Sequence, residues 1–587
     1  MKFIRTKLLL LATSGALVAC AQPNDAIKLN QVGYYPHGPK TVAVTGEQTG
    51  GRFFVLRADQ RDTVFKGELS APKKSAYSSL KTRIGDFTSL KKSGNYVIAV
   101  PGLGLSYPFA IQENVHRGVA AASIKGFYYQ RSNEALEERH AGVWHRPAGH
   151  PDTEVYVHSS SASKERPAGT VISSPGGWYD AGDYNKYIVN SGITMGTMLS
   201  AYEDLPTYYK SLRLNIPESG DVLPDLLNEV LYNLRWMLTM QDPHDGGVYH
   251  KCTNAVFDGM VMPGVTKDKR YVVQKGTAAA LDFAAVMAQA ARVYRGFDRY
   301  VPGLSDSCLK AAVLAWKWAE QHPNVRYSQR EINPVHEPDV LTGEYGDRNF
   351  KDEALWAAAE LFVTTGNRRY YDAVYEHRME PVGLPGWSNV GMLGYYSLLR
   401  HHKTLPSYTK ELTKAMKDSV VRIAKGYLTK TTQNAFGTVM GQSARDFIWG
   451  SNSVAANQGV LLINAYYLTD DKRYINYALS NMDYLLGRNA TGYSFVTGFG
   501  TKSTMNPHHR PSVADGIVAP VPGLLAGGPN PAMQDKCVYE HKEPETAYSD
   551  TDCSYASNEI AINWNAPLVY LSGALEALQQ KAGYSKK

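Results

Sequence analysis

Between residue 27 and about residue 113 the apolar positions fall in short runs split by Gly, Pro and Asn, with 42–44, 53–56 and 96–100 the clearest. Closely spaced runs of this length, rich in β-branched and aromatic residues, predict a small all-β sandwich. It lacks the Cys…Trp…Cys arrangement of antibody domains. Beyond Val115 the apolar period lengthens to that of a helix. The spacing predicts helices over 115–131, 223–240, 277–294, 309–321, 352–365, 412–428, 454–468, 473–486 and 558–580, the last capped by Ser557. Shorter candidates at 188–204, 368–377 and 388–400 bring the number to about twelve. No strand-length runs alternate with them, which argues against a TIM barrel or a Rossmann fold. Long loops rich in Gly, Pro, His and Trp lie at 140–185, 241–275, 323–351 and 488–557. Loops of that size in a compact domain are usually functional. Helical hairpins with elaborate loops on one side suggest an α/α barrel, although periodicity alone leaves other large helical folds open.

The first residues change the reading of compartment. Lys2, Arg5 and Lys7 form a basic start, Leu8–Leu11 opens a short apolar run, and Leu17-Val18-Ala19-Cys20 follows. The apolar run is too short for a stable membrane span. The tetrad is similar to a bacterial lipoprotein signal, which implies cleavage before Cys20 and a lipid on its thiol; the alternative is a plain secretory signal. Ala21 and Gln22 do not resemble an acidic inner-membrane retention signal, so the outer membrane is expected, with either face open. The formal charge is +7, and cleavage would remove three positive charges and no negative one. No Lys/Arg-rich block suggests nucleic-acid binding. Beyond Cys20 the cysteines are Cys252, Cys308, Cys537 and Cys553. They fit no zinc spacing. Four in an exported chain could form two disulfides in any of three pairings, with Cys537 and Cys553 close enough to clip one loop; unpaired buried thiols are the alternative. The chain has 39 Tyr against 16 Phe and 9 Trp. Tyr carries an apolar ring with a polar tip, and the excess suggests amphipathic surfaces or a cleft.

Several segments carry candidate chemistry. Gly176-Gly177-Trp178-Tyr179-Asp180-Ala181-Gly182-Asp183-Tyr184 sets two carboxylates three residues apart in a loop running toward a helix. At a helix start those positions share a face, and paired carboxylates can deprotonate and orient one water; capping by one Asp is the plainer alternative. In Ser557-Asn558-Glu559-Ile560-Ala561-Ile562-Asn563-Trp564-Asn565 an acid precedes apolar residues at an expected helix start. Apolar burial would raise its pKa and suit a general acid, whereas a first-turn Glu is also simply favourable. Asn506-Pro507-His508-His509-Arg510-Pro511 offers groups for sugar hydroxyls, a phosphate or a metal. His250 follows a Gly-Gly loop and reads as a substrate contact or a satisfied structural histidine.

Together these segments resemble family 9 glycoside hydrolases, the inverting cellulase-type enzymes. The 180–183, 508–510 and 557–568 motifs occur in the family's order, and Leu29-Asn30-Gln31-Val32-Gly33-Tyr34 is similar to its immunoglobulin-like leading domain. After the signal expected at 1–19 and a polar tether at 20–26, the resemblance implies a multidomain chain: an immunoglobulin-like all-β sandwich at 27–113 and an all-α (α/α)6 barrel at 114–587. It implies Asp183 as general base, Asp180 as its helper and Glu559 as general acid. His508, Arg510, His250 and Trp564 would contact sugar, with Trp178 and Tyr184 shaping the cleft. Inversion requires acid and base carboxyls about 6.5–9.5 Å apart.

The expected activity is endo-β-1,4-glucanase action on a cellulose-type chain, mixed-linkage glucan or xyloglucan. An exo-acting glucosidase or glucosaminidase of the same fold, or a non-catalytic glycan-binding lipoprotein, is the alternative. The Cys-bearing 529–556 loop would wall off one end of the cleft or be only a stapled surface loop. The 140–175 insertion, with Trp144, His145 and His158, would reshape subsites. Relatives often hold structural calcium, and Glu218, Asp221, Asp225 and Glu229 offer oxygens for it; catalysis needs no cofactor. The expected partners are β-glucan and, through Cys20, a membrane, with the chain a monomer. Many of the Tyr rings are expected to line the sugar cleft.

Overall fold

The computed structural model describes residues 22–46, 51–59 and 62–586, so Cys20 and the signal lie outside it. The leading segment forms two facing sheets. One runs β1 (Ile27–Lys28), β3 (Thr41–Thr45), β7 (Lys81–Asp86), β6 (Lys73–Lys74). The other runs β2 (Gly33–Tyr34), β10 (Phe109–Ile111), β8 (Gly94–Val100), β4 (Arg52–Arg57), β5 (Thr63–Glu68), with β9 (Gly104–Leu105) beside β8. The apolar runs seen in the sequence are strands β3, β4 and β8. Their alternate side chains, among them Val42, Val44, Phe53, Val55, Tyr96 and Ile98, fill the core between the sheets.

Twelve helices of ten residues or more follow among the described residues: α1 (Arg117–Tyr129), α2 (Ile188–Asp204), α3 (Asp225–Thr239), α4 (Thr277–Tyr294), α5 (Leu304–Gln321), α6 (Lys351–Thr365), α7 (Arg368–His377), α8 (Gly391–His401), α9 (Lys410–Thr431), α10 (Ser451–Thr469), α11 (Lys472–Leu485) and α12 (Ile562–Ala582). They form an (α/α)6 barrel. Successive hairpin partners α4–α5, α6–α7 and α10–α11 pack together, as do the inner neighbours α12–α2, α2–α4, α4–α6, α6–α8 and α10–α12. α2, α4 and α12 are buried on nearly every face, as helices apolar all round must be. α9 has one apolar face against the barrel and an outer face rich in Lys. Gly196 on α2 marks one close approach, since a Cβ there would lie 2.3 Å from the Trp356 ring on α6. No described helix is long and apolar enough to cross a membrane.

Two expectations are corrected. The loops at 140–185 and 241–275 are not irregular throughout. They supply four strands of a five-stranded sheet, in order β12 (Val171–Ile172), β11 (Val155–Val157), β15 (Arg270–Val272), β14 (Lys251–Asn254), with β13 (Lys186–Tyr187) completing it. Its strands are two to four residues long, too short to register as periodic apolar runs. The last long helix starts at Ile562 rather than at 558, and its N-cap is Ala561, without a side-chain cap bond. Ser557 sits instead in a separate four-residue turn.

The two domains are bonded together. Asn30 donates to Asp483 (2.9 Å), Gln31 to the Gly492 carbonyl (2.8 Å) and Tyr35 to Glu576 (2.6 Å).

Candidate active site

One end of the barrel carries an open cleft of about 930 Å³ lined by Asp180, Asp183, Tyr187, Tyr345, Trp387, Trp449, His508, Arg510, Tyr555, Glu559 and Trp564, among others. Three segments distant in sequence meet on its floor. Isolated β-bridges pair Ala181 with Ala561 and His508 with Glu559. The Ile562 amide donates to the Asp180 carbonyl (2.9 Å), and Gln130 holds the Ala181 carbonyl (2.8 Å). Gly182 is obligatory: a Cβ there would lie 2.1 Å from the His508 carbonyl oxygen. The glycine of the Asp-Ala-Gly-Asp stretch thus lets the base-bearing loop touch the His-His-Arg loop backbone to backbone.

The two aspartates do not share a helix face, contrary to the expectation from their spacing. They belong to a loop that enters β13 before α2 begins at Ile188. β13 pairs with β14, and Lys186 Nζ, fully buried, reaches Asp152 (2.7 Å) and the Gly176 carbonyl (2.7 Å). The loop is held from below by the sheet, not by helix geometry.

Each carboxyl has its own surroundings. Asp180 accepts from Asn190 Nδ2 (2.6 Å) and from the Tyr345 hydroxyl (2.7 Å). Burial, and then the neighbouring Asp183 charge, raise its pKa above the ordinary carboxylate value, while those two donors oppose the rise. Asp183 receives Asn185 Nδ2 (2.6 Å), the Tyr187 hydroxyl (3.2 Å) and the Asn185 amide (3.3 Å), all on Oδ2. This leaves Oδ1 for a water or substrate proton. Glu559 stands in extended backbone on the bridge strand, not at a helix start. Burial, then the charges of Asp183 and Asp180, push its pKa well above the usual carboxylate range; Arg510 and the Gly182 amide act against this. These surroundings favour the protonated form of Glu559, the form a general acid needs.

The other expected contacts divide. His508 lines the cleft and its Nδ1 lies 2.5 Å from the Asp552 carbonyl. Trp564 also lines it, at the first turn of α12. Arg510 lines it too, but its guanidinium is committed to carbonyls: Nη1 donates to Gly182 (2.7 Å), and Nε and Nη2 donate to Asp258 (3.0 and 2.9 Å). It braces the base loop.

Three expected substrate contacts are corrected. His250 is buried, with Nε2 against the Glu344 carbonyl (2.7 Å) and its ring stacked on Tyr327 (4.2 Å). Trp178 is fully buried against Phe127 (4.7 Å). Tyr184 packs on Tyr179 (4.8 Å) and donates to the Val261 carbonyl (2.6 Å). None of the three lines the cleft. In each case the backbone next to a catalytic loop turns the side chain into the core, which residue type does not reveal. The Tyr excess is corrected likewise: only Tyr187, Tyr345 and Tyr555 are among the lining residues, and most of the others are buried in the barrel.

Functional groups that the sequence did not single out come from elsewhere. Tyr345, Asn190, Asn185 and Tyr187 dress the aspartates. Trp387 meets Tyr345 edge-on (5.5 Å), and Trp449, 40% exposed, lies against Tyr555 (5.4 Å) on the rim. An aromatic in a Gly/Pro loop, as in Pro385-Gly386-Trp387, was the available signal. Cys537 and Cys553 form a disulfide, whereas Cys252 and Cys308 are buried free thiols. The stapled loop supplies the Asp552 carbonyl to His508, and its Asp550 carboxylate accepts the Asn506 amide (2.9 Å). Trp144 of the 140–175 insertion donates to the Ala519 carbonyl (2.9 Å), and neither it, His145 nor His158 lines the cleft.

The acidic group considered for calcium does not fit a cation. Arg131, fully buried, sits among it, with Nη2 2.9 Å from Glu218 and 2.7 Å from Glu229. Asp225 accepts the Leu214 amide (2.6 Å) and the Ser219 hydroxyl (2.7 Å), and Asp221 accepts Asn228 (3.0 Å). A guanidinium occupies the place a divalent ion would need. Among the described residues no other group of three or more such side chains gathers for a metal.

Glycosyl hydrolase family 9 matches residues 117–572, and the cellulase N-terminal ig-like domain matches residues 22–104. The chain belongs to glycosyl hydrolase family 9. It is 45% identical, over all of both chains, to the xyloglucan-specific endo-beta-1,4-glucanase BoGH9A of Bacteroides ovatus. It is 33% identical to endoglucanase D of Acetivibrio thermocellus over 94% of this chain and 83% of that one. The solved structure of a Bacteroides ovatus family 9 protein superposes with a TM-score of 0.90 at 46% identity, covering 95% of this chain and all of that one. A thermostable endoglucanase from Alicyclobacillus acidocaldarius gives 0.83 at 31% identity, covering 94% and 99%. The β-sandwich leading an (α/α)6 barrel is thus the arrangement of a family 9 glycoside hydrolase, and the three-carboxyl cleft is where such chemistry has its acids.

Proposed function

We propose that this family 9 hydrolase is an inverting endo-β-1,4-glucanase whose substrate is xyloglucan. The observation that carries the mechanism is the division of labour in the cleft. Burial and the two aspartate charges raise the Glu559 pKa and so favour its acid form, while Asp183 keeps one carboxylate oxygen clear of protein donors. Asp183 takes a proton from a water that Asp180 helps to orient. That water attacks the anomeric carbon, the glycosidic bond breaks, and the Glu559 proton goes to the leaving oxygen. Proton exchange with solvent resets both carboxyls. Trp387, Trp449, Tyr555 and Trp564 present ring faces to sugar C–H surfaces, the role aromatic side chains fill well. The choice of xyloglucan is supported by full-length identity to a relative carrying that name.

The test has two parts. Glu559→Gln and Asp183→Asn, each still folded, should lose hydrolysis of xyloglucan, and proton NMR of the first wild-type product should show the inverted anomer. Early product sizing on xyloglucan, mixed-linkage glucan, carboxymethylcellulose and chitosan oligomers should give mixed oligosaccharides, fastest from xyloglucan. A single small product from the first minutes would replace endo by exo action.

The Leu17-Val18-Ala19-Cys20 tetrad supports a lipid on Cys20 and attachment to a bacterial outer membrane. Cys20→Ser should release the enzyme from the membrane fraction. Sedimentation of the lipid-free chain should give a monomer.

A further inference from the structure

A lysine without a carboxylate partner lies buried behind Asp183. β13 and β14 pair so that Tyr187 stands opposite Lys251 and Lys186 opposite Cys252. Both lysines are fully buried, but they are satisfied differently. Lys186 has the Asp152 carboxylate at 2.7 Å. Lys251 forms no ion pair among the described residues. Its Nζ donates to the Thr342 hydroxyl (2.8 Å), the Gly343 carbonyl (2.7 Å) and Gln329 Oε1 (2.8 Å). Three acceptors match the three hydrogens of an ammonium. A buried charge held only by neutral groups is costly, so its place needs a reason.

The reason lies beyond those acceptors. Thr342 Oγ1 is 2.6 Å from Thr253 Oγ1, which is 2.9 Å from Asn185 Oδ1, and Asn185 Nδ2 donates to Asp183 Oδ2 (2.6 Å). With the ammonium on Thr342, the Thr342 proton turns to Thr253. The Thr253 proton then goes to Asn185, shared with the Asn254 carbonyl (2.8 Å). The bonds of this chain all run from cation to carboxylate, and bonds so aligned polarise one another. A second arm ends on the same oxygen: the Gly343 amide donates to the Tyr187 hydroxyl (3.0 Å), which donates to Asp183 Oδ2 (3.2 Å). The strap ends at Tyr345, whose hydroxyl reaches Asp180 (2.7 Å), and residues 342–345 line the cleft. One buried ammonium thus pins the strap from which both aspartates take donors.

We infer that Lys251 is a positioning residue for the general base: its charge and its three bonds orient the donors on Asp183 Oδ2, favour the ionised base and leave Oδ1 for the water. This rests on the reading of Asp183 as base.

The surrounding charges set the sign of the pH dependence. Asp183 is faced by Asp180 on its own loop, Glu559 on the bridge strand, His508 and Arg510 on the His-His-Arg loop and Tyr187 on β13. Lys251 is faced by Asp183, Glu344, His250, His158 and the rings of Tyr187 and Tyr327. Burial lowers the pKa of His250, His158 and His508, and Arg510 is spent on carbonyls. Burial also lowers Lys251, to about 7, while Asp183 and then Glu344 act against the fall. Lys251 is therefore charged below that value, across the acid limb of activity. The attraction is mutual, so without Lys251 the carboxylate form of the base is harder to keep and the acid limb moves up.

The full-length protein is assayed on xyloglucan for kcat and KM against pH. Lys251→Met keeps an unbranched stem and loses the charge. It should move the acid limb of kcat/KM up by about one unit and lower kcat about tenfold with KM within about twofold. Thr253→Val cuts the chain at one oxygen and should move the limb the same way by less. An unmoved limb in a folded Lys251→Met protein overturns the proposal whatever its kcat, because a structural peg costs rate without changing ionisation. Should that variant not fold, or keep no measurable rate, Thr253→Val decides by the same readout. Undiminished hydrolysis by Asp183→Asn would instead overturn the base assignment beneath the proposal.

Discussion

Two of the groups of buried acids in the barrel differ sharply in what surrounds them. In the cleft, Asp180 and Asp183 receive four side-chain donors between them, from Asn190, Tyr345, Asn185 and Tyr187. In the core, Asp282 on α4 and Glu353 on α6 are fully buried. Neither oxygen of Asp282 has a hydrogen-bond partner among the described residues. Burial, and then the charges of Asp352 and Asp347, push Asp282 well above the usual carboxylate range; burial, then Asp282 and Asp352, do the same to Glu353. A raised pKa is common to Glu559, Asp282 and Glu353, so it marks burial rather than function. What sets the cleft apart is an opening to solvent and side-chain donors to its aspartates.

The sharpest way to break this comparison is to neutralise one acid of each kind. Glu559→Gln and Asp183→Asn should each lower kcat/KM on a soluble β-glucan by about 10³-fold or more, with circular dichroism unchanged. Asp282→Asn should leave it within about twofold. Loss of activity in a folded Asp282→Asn protein would erase the distinction.

Next in size is the backbone seam of the cleft. Gly182→Ala should cost about 10²-fold in kcat, because an ångström-scale displacement separates base from acid. Gly220→Ala, where a Cβ meets nothing within 4 Å, should be silent in the same assay.

Smaller still is the effect of one donor. Tyr345→Phe removes a bond that favours ionised Asp180. Its pKa should rise further, moving the acid limb of the kcat/KM–pH profile up by about one unit, worth about 1.4 kcal/mol. An unmoved limb with reduced kcat would make Tyr345 a packing residue only.

The smallest effect is on stability. An acid whose folded pKa lies above its unfolded value of about 4 contributes fully below that value and loses the contribution as pH rises through the folded pKa. Asp282 and Glu353 are of this kind, so the melting midpoint should fall from pH 5 to pH 8. Asp282→Asn should flatten that fall by about 2 °C.

Much of this was legible in the sequence. The helices at 188–204, 277–294 and 368–377 have the expected ends, because each is long or sharply bounded and its apolar spacing is unbroken. The three acids were legible as motifs, and the structure brings them into one cleft. Their local geometry was not. Spacing i, i+3 suggested a helix face, yet the aspartates are set by Gly182 contacting His508 and by strands of two residues, which leave no periodic trace. The donors Tyr345 and Asn190 lie in segments whose character is ordinary for a loop and a buried helix. Trp178, Tyr184 and His250 sit within or near catalytic segments but point into the core, since sequence adjacency fixes distance along the backbone and not direction.

The bonds from Asn30 to Asp483, Gln31 to Gly492 and Tyr35 to Glu576 have a mechanical consequence. Buried polar contacts on both sides make the β-sandwich a bracket rather than a hinged arm. The direction in which the cleft opens is therefore fixed relative to the β-sandwich. A polysaccharide would meet a mouth whose bearing is set by the whole two-domain body, and the enzyme would meet it by moving as one piece rather than by swinging about its own waist.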